Sequence, residues 1–227
     1  MALWIEWRDI NRDGKELLSL RGQDFRFDPK TLEFEPVSGG NQFGHSMDDW
    51  GNRFEATNSN HIIQIVYPLE YLKRNPYLAA SGISRSIAKE GAAAPVFRIS
   101  PPEPWRIIPN QTSYFRPQLR QTLTCKRTGA YWILYIGYGC HNLSRFRLST
   151  RVSGNAFIRD VGGNLLHRKT MTLDGATWLA ERADQDTEFI RSKDTWFRPV
   201  NFVNAPDGSL MVLDMYRETI EPPLLDS

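Results

Sequence analysis

His45 stands in the run Phe43-Gly44-His45-Ser46. A neutral imidazole at a loop mouth can take the proton of a hydroxyl or hydrate as hydride leaves the carbon. The other reading is a histidine that bonds a loop carbonyl. Asp48, Asp49 and Trp50 follow at once. Two adjacent acids can orient an imidazole or give oxygen ligands to Ca²⁺, but acids ahead of Trp-Gly also make a solvent-facing turn with capping roles, and we read them so. In Thr57-Asn58-Ser59-Asn60-His61-Ile62, polar side chains precede an apolar strand. Asn58, Asn60 and His61 either hydrogen-bond a ligand in a channel or hold the loop through Asx-turns. Arg198, in Trp196-Phe197-Arg198-Pro199, offers the planar fork that carboxylates need, or a structural salt bridge. Asp214, Tyr216 and Arg217 close the next strand, where Asp214 reads as a turn pin. His167, between apolar neighbours, reads as a packing histidine.

Other chemistries have no motif to support them. There is no G-x-G-x-x-G after a strand, no phosphate-binding loop, no H-E-x-x-H and no G-x-S-x-G elbow. A formal net charge of +2 removes the electrostatic case for nucleic-acid binding. No apolar run approaches the roughly 20 residues of a membrane span, and the start has no signal-peptide pattern. Cys125 and Cys140 are too few for a disulfide framework and match no metal spacing.

The elements that must position these residues read as short strands. With 14 Pro, 16 Gly and many short aromatic runs, an all-β chain with tight turns is expected. Hairpins are expected over Asp24 to Val37 around Asp28-Pro29-Lys30-Thr31, over Leu165 to Trp178 around Asp174-Gly175, and over Val200 to Tyr216 around Pro206-Asp207-Gly208. Ser209 to Met215 reads as a buried strand, and Phe54 to Tyr67 and Ala94 to Ser100 as strand-like. Short helices are expected over Leu69 to Arg74, closed by Asn75-Pro76, and over Ile83 to Lys89. Hairpins ending in such turns are what the four-stranded blades of a β-propeller show. At roughly 40–50 residues per blade the chain holds four or five at most.

Three long motifs carry a family resemblance. They are NQFGHSMDDWGNRFEATNSNHIIQIVYPLEYLKRNPYLAA (41–80), GNAFIRDVGGNLLHRK (154–169) and RADQDTEFIRSKDTWFRPVNFVNAPDGSLMVLDMYRE (182–218). They resemble the propeller domain of membrane-bound dehydrogenases abundant in planctomycetes, which is similar in turn to soluble quinoprotein glucose and sorbosone dehydrogenases. The resemblance implies a six-bladed quinoprotein-dehydrogenase propeller, incomplete here, as one domain over residues 1–227. It implies oxidation of a sugar or aldehyde substrate with pyrroloquinoline quinone (PQQ) and Ca²⁺. His45 would be the base, and Arg198, Asn58, Asn60, His61 and Arg217 would contact the cofactor; no residue is assigned to the metal. It further implies a c-type cytochrome as electron acceptor and a periplasmic or cell-surface location. Related dehydrogenases carry Gly-His-Arg near the quinone, and here Ser46 replaces the Arg. The competing reading is a non-catalytic propeller that serves as a binding platform, or an inactive gene remnant.

The chain departs from that family in two ways. A secretion signal and the earlier blades are expected to be missing, and no C-x-x-C-H haem site is read before Ser227. Residues 125–153 contain no acid and no clear turn chemistry. A permissible coding of Ile133 to Gly139, read one base later, gives FYTSATG and continues into family-like sequence before Gly154. Residues 2–9 behave similarly. Both segments are therefore expected to be frameshifted, which would leave a sheet edge unpaired and remove Cys125, Cys140 and His141 from consideration as a thiol or metal site.

Overall fold

A computed structural model describes residues 3–6, 9–12, 15–20, 22–75, 77, 79, 82–101, 132–137, 154–207 and 209–219, with only the backbone described over 3–19 and 132–137. These residues form antiparallel sheets that follow one another along the chain, none of them closed. The first sheet holds β1 (Leu3–Glu6), β2 (Asp9–Arg12) and β3 (Lys15–Ser19); the second is the hairpin of β4 (Gln23–Phe27) and β5 (Phe34–Ser38). Next comes a four-stranded meander, β6 (Phe43–Met47), β7 (Arg53–Ala56), β8 (Ile63–Ile65) and β9 (Ser84–Ser86). Helix α1 (Leu69–Arg74) joins β8 to β9, over the span its sequence implies. A second meander runs β10 (Trp132–Gly137), β11 (Asn155–Asp160), β12 (Leu165–Asp174) and β13 (Thr177–Arg182), with β14 (Ile190–Arg191) paired to β12. The hairpin of β15 (Pro199–Asn204) and β16 (Leu210–Asp214) completes the order.

Turn chemistry explains the three expected hairpins. Asp28 Oδ1 accepts from the amides of Lys30 at 2.7 Å and Thr31 at 3.3 Å, which closes the β4–β5 turn. Asp174 pairs with Thr177, so the β12–β13 loop is Gly175-Ala176. Gly175 has φ +63° and Ala176 does not go positive, the type II′ pattern that follows strand twist. In the β15–β16 turn, Asp207 Oδ1 accepts from the Ser209 amide at 2.9 Å.

The core lies between sheets. Phe54, Ala56, Ile62, Ile87 and Val96 pack with Ala156, Ile158, Leu165, Met171, Trp178 and Ala180. Phe157 and Leu166 face the other way, onto Phe202, Leu210 and Val212. β11 is therefore buried on both faces along its whole length, and each large apolar side chain so placed contributes about 1.5–3 kcal/mol. The two meanders adjoin in order. β10 lies against β6 and β7, while Ala88, just past β9, bridges Ala180 of β13 in parallel. The Ala180 amide donates to the Ile87 carbonyl at 2.8 Å, and Lys89 donates to the Ala180 carbonyl at 3.0 Å.

Several expectations need correction. Phe54 to Tyr67 is two strands, because the Thr57 hydroxyl accepts from the Ser59 and Asn60 amides and turns the chain. Ile83 to Lys89 contains strand β9 rather than a helix, since Ser84–Ser86 completes the sheet edge left by Ile63–Ile65. Among the described residues Ala94 to Ser100 pairs with no strand; its Phe97 amide donates instead to Glu188 Oε1 at 2.9 Å. β16 is not a buried strand: Leu210 and Val212 face Phe202, while Met211 and Leu213 are exposed. Within the segment expected to leave an edge unpaired, Trp132–Gly137 pairs with β11 in continuous register. Cys125, Cys140 and His141 lie outside the described residues. Among the described residues, no helix is long and apolar enough to cross a membrane.

Candidate functional site

His45 sits in a bulge. Phe43 pairs with Ala56 and Ser46 with Phe54, so Gly44 and His45 together oppose Glu55. Gly44 at φ +71° takes the left-handed position that such a bulge needs. The bulge leaves the His45 side chain 48% exposed, with Nδ1 3.8 Å from Asp24 Oδ2. Burial of its inner part, followed by the nearby Arg53 charge, lowers the His45 pKa below the usual 6.5, against the pull of Asp24. At neutral pH the ring is uncharged and able to accept a proton.

Behind His45 the acids are held by one guanidinium. Arg53 Nη2 donates to Asp24 Oδ2 at 2.5 Å and to Glu55 Oε1 at 3.2 Å. Asp24 Oδ1 accepts from the Gly40 amide at 3.0 Å, and Asn41 Nδ2 donates to Glu55 Oε2 at 2.7 Å. Gly40, at φ +89°, makes that approach possible: a Cβ there would lie 2.6 Å from the Gln23 nitrogen. Asp24, His45 and Glu55 could each offer a ligand atom, but Arg53 already supplies the cation between the two carboxylates.

Glu55 carries a pH signature. Burial first, then hydrogen bonding to Asp24, pushes its pKa up to about 7 from 4.5. Between those values the folded chain keeps a proton that the unfolded chain releases. Stability is therefore expected to fall as pH rises from 4.5 to about 7 and to level off beyond. Urea unfolding across that window checks the sign, and Glu55→Gln should flatten this part of the profile. A stability that rises through the window in the parent chain would contradict the assignment.

The other singled-out residues divide by place. Asp48 caps the β6–β7 turn, accepting from the amides of Trp50 at 3.0 Å and Asn52 at 2.8 Å, while Asp49 is exposed. Asn58 is half-buried and its amide donates to Gln42 Oε1. Asn60 Oδ1 accepts from Ser86 Oγ at 3.2 Å and from the Ile62 amide at 3.4 Å, a loop-holding role. His61 is fully buried, with Nδ1 2.5 Å from the Ala92 carbonyl. Arg198 is 0% exposed. Its Nε, Nη1 and Nη2 donate to the carbonyls of Arg217, Val161 and Glu218, which makes it a staple for the chain after β16 rather than an open anion clamp. Asp214 is the turn pin, accepting from the amides of Arg198 at 2.6 Å and Tyr216 at 3.0 Å. Arg217 is exposed. His45 lies on β6, whereas Arg198 stands just ahead of β15 in a different sheet.

A family profile described as a domain of unknown function, DUF7133, matches residues 6–226. The chain belongs to this family. Searches of curated proteins and of solved structures each found no match.

Whether the DUF7133 chain can hold an anionic cofactor turns on its cations. Arg53 and Arg198 are engaged as described. Arg159, on β11, is different. It is 3% exposed, and its Nε and Nη1 are buried with no hydrogen-bond partner among the described residues. Burial lowers its pKa to about 9, so it stays charged at neutral pH. A buried guanidinium with unused donors fits a carboxylate. Nothing in the sequence distinguished Arg159 from any strand cation. Asp24, Arg53 and Glu55 were equally hidden, because each reads as the polar half of an alternating strand.

Proposed function

We propose that this DUF7133 chain forms consecutive blades of an incomplete six-bladed propeller of the quinoprotein-dehydrogenase type, oxidising a sugar or aldehyde. The observation that carries the reading is the order of the two meanders, with β10 against β6 and the end of β9 against β13. First strand beside first strand and last beside last is how radial blades pack. His45, on a first strand, then lies toward the axis where ligands bind.

In this reading His45 removes the proton from the substrate hydroxyl. Arg159 would hold a carboxylate of PQQ; when bound with Ca²⁺, PQQ supplies a two-electron acceptor. Asp24 and Arg53 set the charge around the imidazole, and the bulge at Gly44 keeps it aimed outward. A c-type cytochrome as the next electron acceptor and a periplasmic or cell-surface location belong to the same proposal. The test supplies the chain with PQQ, Ca²⁺ and a redox dye and measures dye reduction across a panel of aldoses and aldehydes. Activity that depends on the quinone supports the reading, and a silent panel contradicts it.

A non-catalytic binding platform is the second reading. The engagement of Arg198 by main-chain carbonyls favours it, since the expected cofactor clamp is a structural staple. Binding of PQQ without turnover would decide for the platform.

A further inference from the structure

A second cluster lies between the two meanders and takes no part in the proposed oxidation. His61 precedes β8, Glu90 follows β9, and His167 belongs to β12. Each offers one metal-ligating atom, and these atoms all lie within 4.8 Å of one another. The sequence leaves His61 between a channel contact and a loop-holding role and gives His167 a packing role.

The hydrogen bonds set the tautomers. His61 Nδ1 is 2.5 Å from the Ala92 carbonyl, which can only accept, so Nδ1 carries the proton and Nε2 the lone pair. His167 Nδ1 lies 2.8 Å from Glu188 Oε2 and donates to that carboxylate in the same sense. Glu188 is itself fixed by Arg182 and by the Phe97 amide. A ring whose Nδ1–H is anchored to an outer oxygen is the arrangement found at ligating histidines. Both rings are fully buried, whereas the Glu90 side chain is 23% exposed. Two imidazoles inside and one carboxylate at the wet edge leave a side open to water.

Lys169 is the competing cation. It is fully buried and its Nζ pairs with Glu90. The ammonium balances that carboxylate, and a divalent ion would have to displace it.

We infer that His61, His167 and Glu90 form a site for a divalent transition-metal ion of borderline softness, Zn²⁺ above all, with Lys169 holding Glu90 when the metal does not. Two histidines and one carboxylate are a recurring Zn²⁺ ligand set.

The test uses the full chain carrying Cys125→Ser and Cys140→Ser, so that thiolates do not compete. After chelator treatment it is titrated with Co²⁺, read by visible d–d absorption, and then with Zn²⁺. One Co²⁺ per chain is expected, displaced by Zn²⁺. His61→Gln, His167→Gln and Glu90→Gln should each weaken binding at least about tenfold, and Lys169→Met should tighten it. Glu90 lies at the surface, so its variant reads the site even where a buried histidine variant does not fold. A parent chain that binds neither ion overturns the assignment. So does binding that Glu90→Gln and Lys169→Met leave unchanged.

Discussion

Arg198→Met is expected to destabilise the chain by about 3 kcal/mol or more, with a melting temperature lower by roughly 6–12 °C. The reason is the partner set. All three guanidinium nitrogens donate to main-chain carbonyls, of Val161 at the β11–β12 turn and of Arg217 and Glu218 beyond β16. Met fills much of the same volume but leaves the buried Val161 carbonyl without its donor and frees the part-buried Arg217 and Glu218 carbonyls, and hydrogen bonds to a charged group are worth about 1.5–3 kcal/mol each. Arg198→Lys should recover only part of the loss, because one ammonium cannot reach three carbonyls along a planar fork. Thermal and urea unfolding measure the effect. An unchanged melting temperature, with ligand binding lost instead, would restore the anion-clamp role that the family resemblance implies for Arg198.

His45→Gln is expected to act in the opposite way. The side chain is half-exposed and its nearest charged partner, Asp24, is 3.8 Å away, so stability should move by no more than about 0.5 kcal/mol. Turnover should fall by about 10²–10⁴-fold, the contribution of a positioned general base. The parent chain's activity should decline with acidification only below pH 6.5, because burial and Arg53 lower the pKa of the base. That acid limb should vanish in the residual activity of the variant. A variant that turns over at the parent rate would remove His45 from the chemistry.

How much of this was legible in the sequence follows the range of the interactions. The β4–β5 and β12–β13 hairpins were readable because Asp28, and Gly175 after Asp174, settle their turns within a few residues. Helix α1 was readable because Asn75-Pro76 marks its end. Ile83 to Lys89 misled because its apolar spacing suits a helix, while the open edge of β8 claims Ser84–Ser86. That edge is a tertiary fact.

The same limit governs the site. His45 was visible through its loop motif, but the bulge that aims it depends on pairing with β7. Arg53 bridging Asp24 and Glu55 joins β4 to β7, which no local pattern encodes. His61 meets His167 across the interface of two sheets, with ring centroids 6.1 Å apart. Arg198 shows the converse. Its residue type was informative, yet its role was decided by carbonyls from distant turns.

The most direct measurement of the central claim is thermal unfolding of the 227-residue chain with and without PQQ and Ca²⁺ together. The account predicts a cooperative transition that moves upward when both are present, since a ligand bound by the folded state alone stabilises it. Arg159→Met should abolish that shift. A transition that PQQ and Ca²⁺ leave in place would contradict the quinoprotein reading.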